Sequence, residues 1–259
     1  TECMFSTPVM ALPQHVLDRL PAALLRGGQL APAESPEIGL PLGLAELDAL
    51  LPDGGLLRGG VVELCVSGAA AGASRIALAA CRAAQAEGRA RGGDTPWCAF
   101  VDPSSSLFGP GVAEAGVQLD RLLVVHPPLE ALGRVSVRVV ESRAFAVVVV
   151  DTLGAPGAPV DVALGTWPRV VRRLALAVEG SAACVLLVTD SAASRPLPLP
   201  VAQRIELSRP SEHELAVRVA KDKHGRIASM RKIPWAPSPP RPLLKAEGPS
   251  RRLARIAGG

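Results

Sequence analysis

The stretch Val-Ser-Gly-Ala-Ala-Ala-Gly-Ala-Ser-Arg, residues 66–75, sets small residues between an apolar run ending at Val66 and a run of helical character from Ser74. A strand, a glycine-bearing loop and a helix N-terminus in that order offer open backbone N–H groups and a positive dipole end to a phosphate. The spacing that makes such a loop a nucleoside-triphosphate site is Gly, four residues, Gly, Lys, then Ser or Thr. The lysine spans the phosphate charge and the hydroxyl ligates magnesium. Here Gly72 stands as the second glycine and Ser74 as the hydroxyl, while Ser67, next to Gly68, replaces the first glycine and Ala73 replaces the lysine. A charge-assisted contact to phosphate is worth about 1.5–3 kcal/mol in binding. Losing such a contact in a transition state costs roughly a hundred- to thousand-fold in rate. Arg75 is not expected to substitute, because one residue further along a helix turns its side chain about 100° away.

A second element with matching chemistry is Phe-Ala-Val-Val-Val-Val-Asp, residues 145–151, followed by Thr152. An apolar strand that ends in Asp can hold magnesium through a water or a hydroxyl. The same pattern also describes an Asp that caps a buried strand where it meets solvent. Paired with the loop, Asp151 joins Ser67, Gly68, Gly72 and Ser74 as a vestigial nucleotide site.

These residues need strands and a helix to position them. The blocks Val61–Val66, Trp97–Val101, Leu122–Val125, Ala146–Val150 and Cys184–Val188 are continuous apolar runs, which fit strands buried on both faces of a parallel sheet. Helix candidates at Ser74–Glu87, Val112–Val117, Leu129–Arg143 and Arg169–Val178 alternate with them, giving repeated strand–helix units with right-handed crossovers. Arg204–Ser208 and Leu215–Ala220 read as further strands leading to a turn at Asp222–Gly225 and a return strand to about Ile233, a hairpin at the sheet's edge. The expected class is α/β with a mostly parallel twisted sheet. Residues 1–38 read as a helical arm with a linker, 39–235 as the core, and 236–259 as a Pro-rich linker with a basic tail.

Composition narrows the function classes. Apolar runs are far short of the roughly twenty residues that cross a bilayer, and the N-terminus lacks a secretory pattern, so a cytoplasmic protein without membrane contact is expected. Cys3, Cys65, Cys81, Cys98 and Cys184 form no CxxC pair and the four histidines are dispersed, so neither a metal nor another cofactor is expected. The formal charge is +4, and residues 241–259 carry Arg241, Lys245, Arg251, Arg252 and Arg255 against Glu247, which accounts for the whole excess. A basic tail on a neutral core points to an acidic partner or nucleic acid for the tail, with Arg251, Arg252, Leu253 and Arg255 as its contact residues. Tyr is absent, which removes most stacking platforms for single strands. Arg169, Arg172 and Arg173 share one helix face.

Taken in order, these motifs resemble the RecA family over roughly residues 39–233. Gly39–Leu64, with Leu47-Asp48 and a glycine-rich turn, looks like the segment before the phosphate loop of RecA-like ATPases. Trp97–Pro128 is similar to the family's second strand, its acidic turn and the approach to the third strand. Val147–Gly154 looks like its magnesium-site strand. The resemblance implies a RecA-like three-layer core. It also implies a water-polarising glutamate two residues beyond Asp102, where this chain has Ser104. The segments Gly154–Pro168 and Asp190–Pro200 stand where the family's DNA-binding loops would, without the Gly-rich, aromatic and basic mix such loops carry.

Broken loop, missing glutamate and Pro-linked basic tail together most resemble the ImuA branch of the family. That resemblance implies no catalysis and an accessory role in damage-induced translesion synthesis. It implies contacts with an ImuB-type Y-family polymerase homologue and with RecA, an indirect link to an error-prone replicative-type polymerase, and weak DNA contact through the tail. Leu17, Leu20 and Leu24 in the arm resemble the N-terminal helix with which RecA protomers dock on a neighbour. Two alternatives remain: a slow ATPase or ATP switch using Ser74 and Asp151 with a cation borrowed from a neighbouring protomer, and a DNA-binding protein acting through its tail.

Overall fold

The continuous apolar runs become the interior strands of one sheet in the computed structural model, which describes residues 39–68, 72–155, 158–193 and 198–235. The strands are β1 (Gly60–Ser67), β2 (Trp97–Val101), β3 (Leu122–Val125), β4 (Phe145–Asp151), β7 (Cys184–Asp190), β8 (Gln203–Ser211), β9 (Glu214–Lys221) and β10 (Arg231–Pro234), while β5 (Gly154–Ala155) and β6 (Ala158–Pro159) form a separate small pair. The sheet order is β10-β9-β8-β1-β7-β4-β2-β3. β1 runs parallel to both β7 and β8, β4 parallel to β7 and β2, and β2 parallel to β3. β8, β9 and β10 are antiparallel.

Period-two alternation along each buried strand feeds two cores. On one face Val62, Leu64, Cys98, Val147 and Leu186 pack against α2 (Ala73–Ala90). On the other Val61, Ala99, Val148, Val185 and Leu187 pack against α4 (Leu132–Glu141) and α5 (Pro168–Val178). This is a three-layer α/β arrangement of the expected class, with helices covering both faces of a largely parallel sheet. The buried stripe of α2, Ile76, Ala77, Ala80, Cys81 and Ala84, is small, so the helix lies close on the sheet. Cys65, Cys81, Cys98 and Cys184 are buried thiols that form no disulfide. The Cys98 thiol donates to the Cys81 carbonyl at 3.7 Å, and burial pushes Cys184 up to about 12. They act as small hydrophobes.

The Leu47-Asp48 pair has a clear local role. It sits in the short α1 (Ala45–Asp48), where Leu47 is buried and the Asp48 carboxylate accepts from the N–H groups of Leu42, Gly43 and Leu44 at 2.9, 2.9 and 3.1 Å. The turn after it returns to bridge Leu40 with Leu56, and a Cβ on Gly55 would meet the Leu40 carbonyl oxygen at 2.3 Å, so only glycine fits there.

Several element bounds differ from the sequence expectation. α3 spans Gly109–Glu114 rather than Val112–Val117, because Pro110 presets the first turn and Gly116, at φ 81°, ends it. The helix expected from Leu129 starts with a 3-10 turn, Leu129–Ala131, and becomes α4 only at Leu132. The edge is a three-strand antiparallel run, and the return strand β10 begins only at Arg231. Arg226 explains the delay: it leaves the turn to bind both Asp53 oxygens, at 2.5 and 2.8 Å, and Asp222 at 3.0 Å. The Arg226 hydrogen bonds hold Asp53 below the usual carboxylate range.

No helix among the described residues is long and apolar enough to cross a membrane. The arm residues Leu17, Leu20 and Leu24 and the tail residues Arg251, Arg252, Leu253 and Arg255 lie outside the described residues.

Candidate functional site

The sheet order β1-β7-β4 sets three strand C-termini side by side, and Val66 pairs with Asp190 while Asp151 pairs with Val188. Open α/β sheets form their clefts at such C-terminal edges. Here a cleft of about 590 Å³ opens over them, lined by Ser67 and Gly68 from the end of β1, Ala73 and Ser74 from the first turn of α2, and Asp151 from β4. Four of the five sequence-predicted residues therefore share one cleft. The fifth, Gly72, is the left-handed N-cap of α2 at φ 81°, behind that lining.

Gly72 is needed for two reasons. Its φ is in the left-handed region, and a Cβ there would meet the Trp235 ring at 2.7 Å. Trp235 is buried at 5% exposure, with its backbone N–H donating to the His213 carbonyl at 2.7 Å. Arg75 stacks its guanidinium over the same ring, 4.3 Å from the centroid, and does not line the cleft. We expect Gly72→Ala to lower stability by about 2 kcal/mol, from left-handed strain plus displacement of the ring. Urea unfolding followed by Trp fluorescence measures this, because the perturbed residue is one of only three tryptophans.

The remaining wall of the cleft is acidic. Asp151, Asp161 and Asp190 line it, and no Lys or Arg does among the described residues. Asp190 turns inward on its own loop, accepting the Ala192 N–H at 2.8 Å. Asp151 is buried and accepts the N–H groups of Leu153 and Gly154 on Oδ1 at 2.8 and 3.3 Å. Burial nevertheless pushes its carboxyl up to about 6, with Asp102 adding like-charge repulsion against the two hydrogen bonds. The segment 159–164, which the sequence placed in a loop, folds over this cleft through Pro159, Val160, Val162 and Leu164.

Ser104 points elsewhere. Its hydroxyl donates to Asp102 Oδ1 at 2.6 Å, and its oxygen lies 2.8 Å from the Ser106 hydroxyl, from which it can accept, closing the acidic turn upon itself. Desolvation would raise Asp102, but the Ser104 hydroxyl and the N–H groups of Leu107, Ser104 and Ser106 outweigh it and hold the carboxylate below its ordinary value. His126 Nδ1 lies 2.8 Å from the Asp102 carbonyl oxygen. No cluster of three or more metal-ligating side chains occurs among the described residues.

This cleft opens at the C-terminal ends of a β1-β7-β4 run, between the end of β1 and the first turn of α2, and the sequence is similar to characterised proteins. The chain is 35% identical over 117 residues, 45% of its length, to Protein RecA of Cutibacterium acnes, and equally to that of strain DSM 16379 / KPA171202. The match supports a relationship to the RecA superfamily. The aligned part covers 31% of those RecA proteins, about a third of the length of the curated relatives it matches. No family model matches the chain.

Two features outside the cleft lining were missed in the sequence. Trp235 lies 160 residues from Arg75, and only the scarcity of aromatics, four Phe and three Trp, marks it out. The buried Glu63 sits inside an apolar block, where it accepts from Thr189 Oγ1 at 2.8 Å and pairs with Arg204 Nε at 2.7 Å.

Proposed function

We propose that this protein is a non-catalytic RecA-like accessory factor of a damage-induced translesion DNA synthesis assembly, working through protein contacts with an ImuB-type polymerase homologue and acting on RecA filaments. The observation that carries the reading is the charge of the cleft. A triphosphate brings several negative charges, and the described lining offers Asp151, Asp161 and Asp190 with Ala73 where a lysine would be needed. The water-polarising position is filled by Ser104, which spends its hydroxyl on Asp102 and Ser106. Absence of either part alone costs orders of magnitude in rate, and together they remove the chemistry for which RecA folds use this cleft. A fold that keeps its layers and loses its charges retains value as a shaped surface.

Co-purification of the full chain with an ImuB-type protein and with RecA tests the reading, alongside turnover of labelled ATP. We expect retention of at least one partner at roughly micromolar concentration. We also expect turnover no greater than that of Ser74→Ala/Asp151→Ala. Retention of neither partner overturns the proposal, and so does turnover well above that variant.

A further inference from the structure

The outer faces of α4 and α5 join into one arginine-rich surface. The helices approach closely, since a Cβ on Gly133 would meet Val170 Cγ2 at 3.0 Å. On α5 the residues Arg169, Arg172, Arg173 and Leu176 follow i, i+3, i+4, i+7 spacing, and all are exposed, Leu176 at 68%. On α4 the exposed Arg134, Arg138 and Glu141 form a parallel stripe at i, i+4, i+7. Glu141 sits between the stripes, accepting Arg173 Nη2 at 3.1 Å and lying 3.6 Å from Arg138 Nη1. Arg134, Arg169 and Arg172 make no ion pair with a described residue. Five arginines thus face solvent with Glu141 among them and the exposed Glu130 and Glu179 just beyond the helix ends.

This concentration is local. The chain's formal excess is +4, and residues 241–259 already account for it, so the rest of the sequence is balanced. The positive face on the helices is offset elsewhere, including the three aspartates of the cleft. Charges sorted this way mark a surface that selects its partner by sign.

We propose that the α4–α5 face docks an acidic amphipathic segment of a partner protein. Carboxylates of that segment engage Arg134, Arg169 and Arg172, whose planar guanidinium groups suit bidentate pairing, and an apolar side chain covers Leu176. A polypeptide fits this face better than nucleic acid. Glu141 in the middle repels a phosphate backbone, no aromatic side chain of the two stripes offers a stacking platform, and Leu176 has nothing to cover it in a sugar-phosphate chain. The inference does not depend on the reading of the cleft.

The test uses the full chain and fluorescence anisotropy with two labelled probes: a synthetic helical peptide of about 18 residues with Glu along one face beside Leu, and an oligo-dT of about 20 nucleotides. The variants are Arg134→Ser/Arg169→Ser/Arg172→Ser for the face, Arg251→Ser/Arg252→Ser/Arg255→Ser for the tail, and Leu176→Ser. At roughly 0.15 M salt the face variant should bind the peptide about ten-fold more weakly than the unmodified protein, a larger loss than that of the tail variant. Leu176→Ser should weaken peptide binding about three-fold, and that loss should persist at high salt, as an apolar contribution does. These residues are exposed, so unchanged thermal melting of each variant confirms that folding is intact. The proposal is overturned if the unmodified protein shows no saturable peptide binding, or if the face variant binds the peptide as well as the unmodified protein. A face variant that loses DNA binding and keeps the peptide also overturns it and assigns the surface to nucleic acid.

Discussion

Replacing Arg204 by Met should lower the free energy of unfolding by about 3 to 5 kcal/mol, the range expected when one partner of a buried ion pair is removed. Glu63 is fully buried in the central strand β1, and its carboxylate reaches both neighbouring strands, Thr189 on β7 and Arg204 on β8. Taking away the guanidinium leaves a desolvated negative charge without the cation 2.7 Å from it. The Thr189 hydroxyl keeps its hydrogen bond to the carboxylate but carries no charge to replace the one removed. The paired change Glu63→Met/Arg204→Met should recover most of the loss, because a same-size apolar filling removes the charge along with its partner. Urea unfolding of the three proteins decides the matter. A loss below about 1 kcal/mol for Arg204→Met would mean that other groups around Glu63 carry its charge, and the cross-strand pair would then be incidental to the sheet.

That pair also shows where sequence reading stops. The runs Val61–Val66, Ala146–Val150 and Cys184–Val188 announce interior parallel strands because continuous apolarity has no other good explanation at that length, and the sheet contains all three side by side. Handedness and alternation of the units do not determine strand order, and it is the observed β1-β7-β4 order that brings Ser67, Ser74 and Asp151 to one cleft. A Glu inside an apolar block carries no label naming its partner, however, because Arg204 is 141 residues away and reaches it only through the β1–β8 register. Trp235 is hidden for the same reason. Its contact with Gly72 depends on where a third antiparallel strand ends, and the sequence places that strand end only loosely. The delayed start of β10 is likewise set by the long-range clamp of Arg226 on Asp53, which no local turn signal encodes.

The phosphate loop is a different kind of case, because its chemistry was legible in the residues that are missing. Ala73 and Ser104 stand where the resemblance implies a lysine and a glutamate, and that needed no coordinates to read. The structure adds the acidic lining, to which Asp161 and Asp190 contribute from segments the sequence treated as loop. It adds also the fate of Arg75, which stacks on Trp235 on the far side of Gly72.

Asp151→Asn should stabilise the protein at pH 8 by up to about 3 kcal/mol and leave it unchanged near pH 3. Burial raises this carboxyl from 3.8 to about 6, a difference that corresponds to about 3 kcal/mol. The folded protein therefore holds the proton more tightly than the unfolded chain, and the ionised form is the disfavoured one. The penalty is fully present above about pH 6, shrinks as pH falls toward 3.8, and is absent below it, so this group contributes increasing stability on acidification. Asn removes the charge and keeps an oxygen to accept the N–H groups of Leu153 and Gly154, so the turn that follows β4 is preserved. Urea melts of both proteins across pH 3 to 8 follow the effect. A difference that does not change with pH would place its origin in packing. The same pair of proteins reads out the cleft's chemistry, since a magnesium–nucleotide complex held by Asp151 would repay its burial and raise the melting temperature of the unmodified protein alone. A cleft that holds no magnesium–nucleotide complex predicts no shift for either protein with magnesium and ATP.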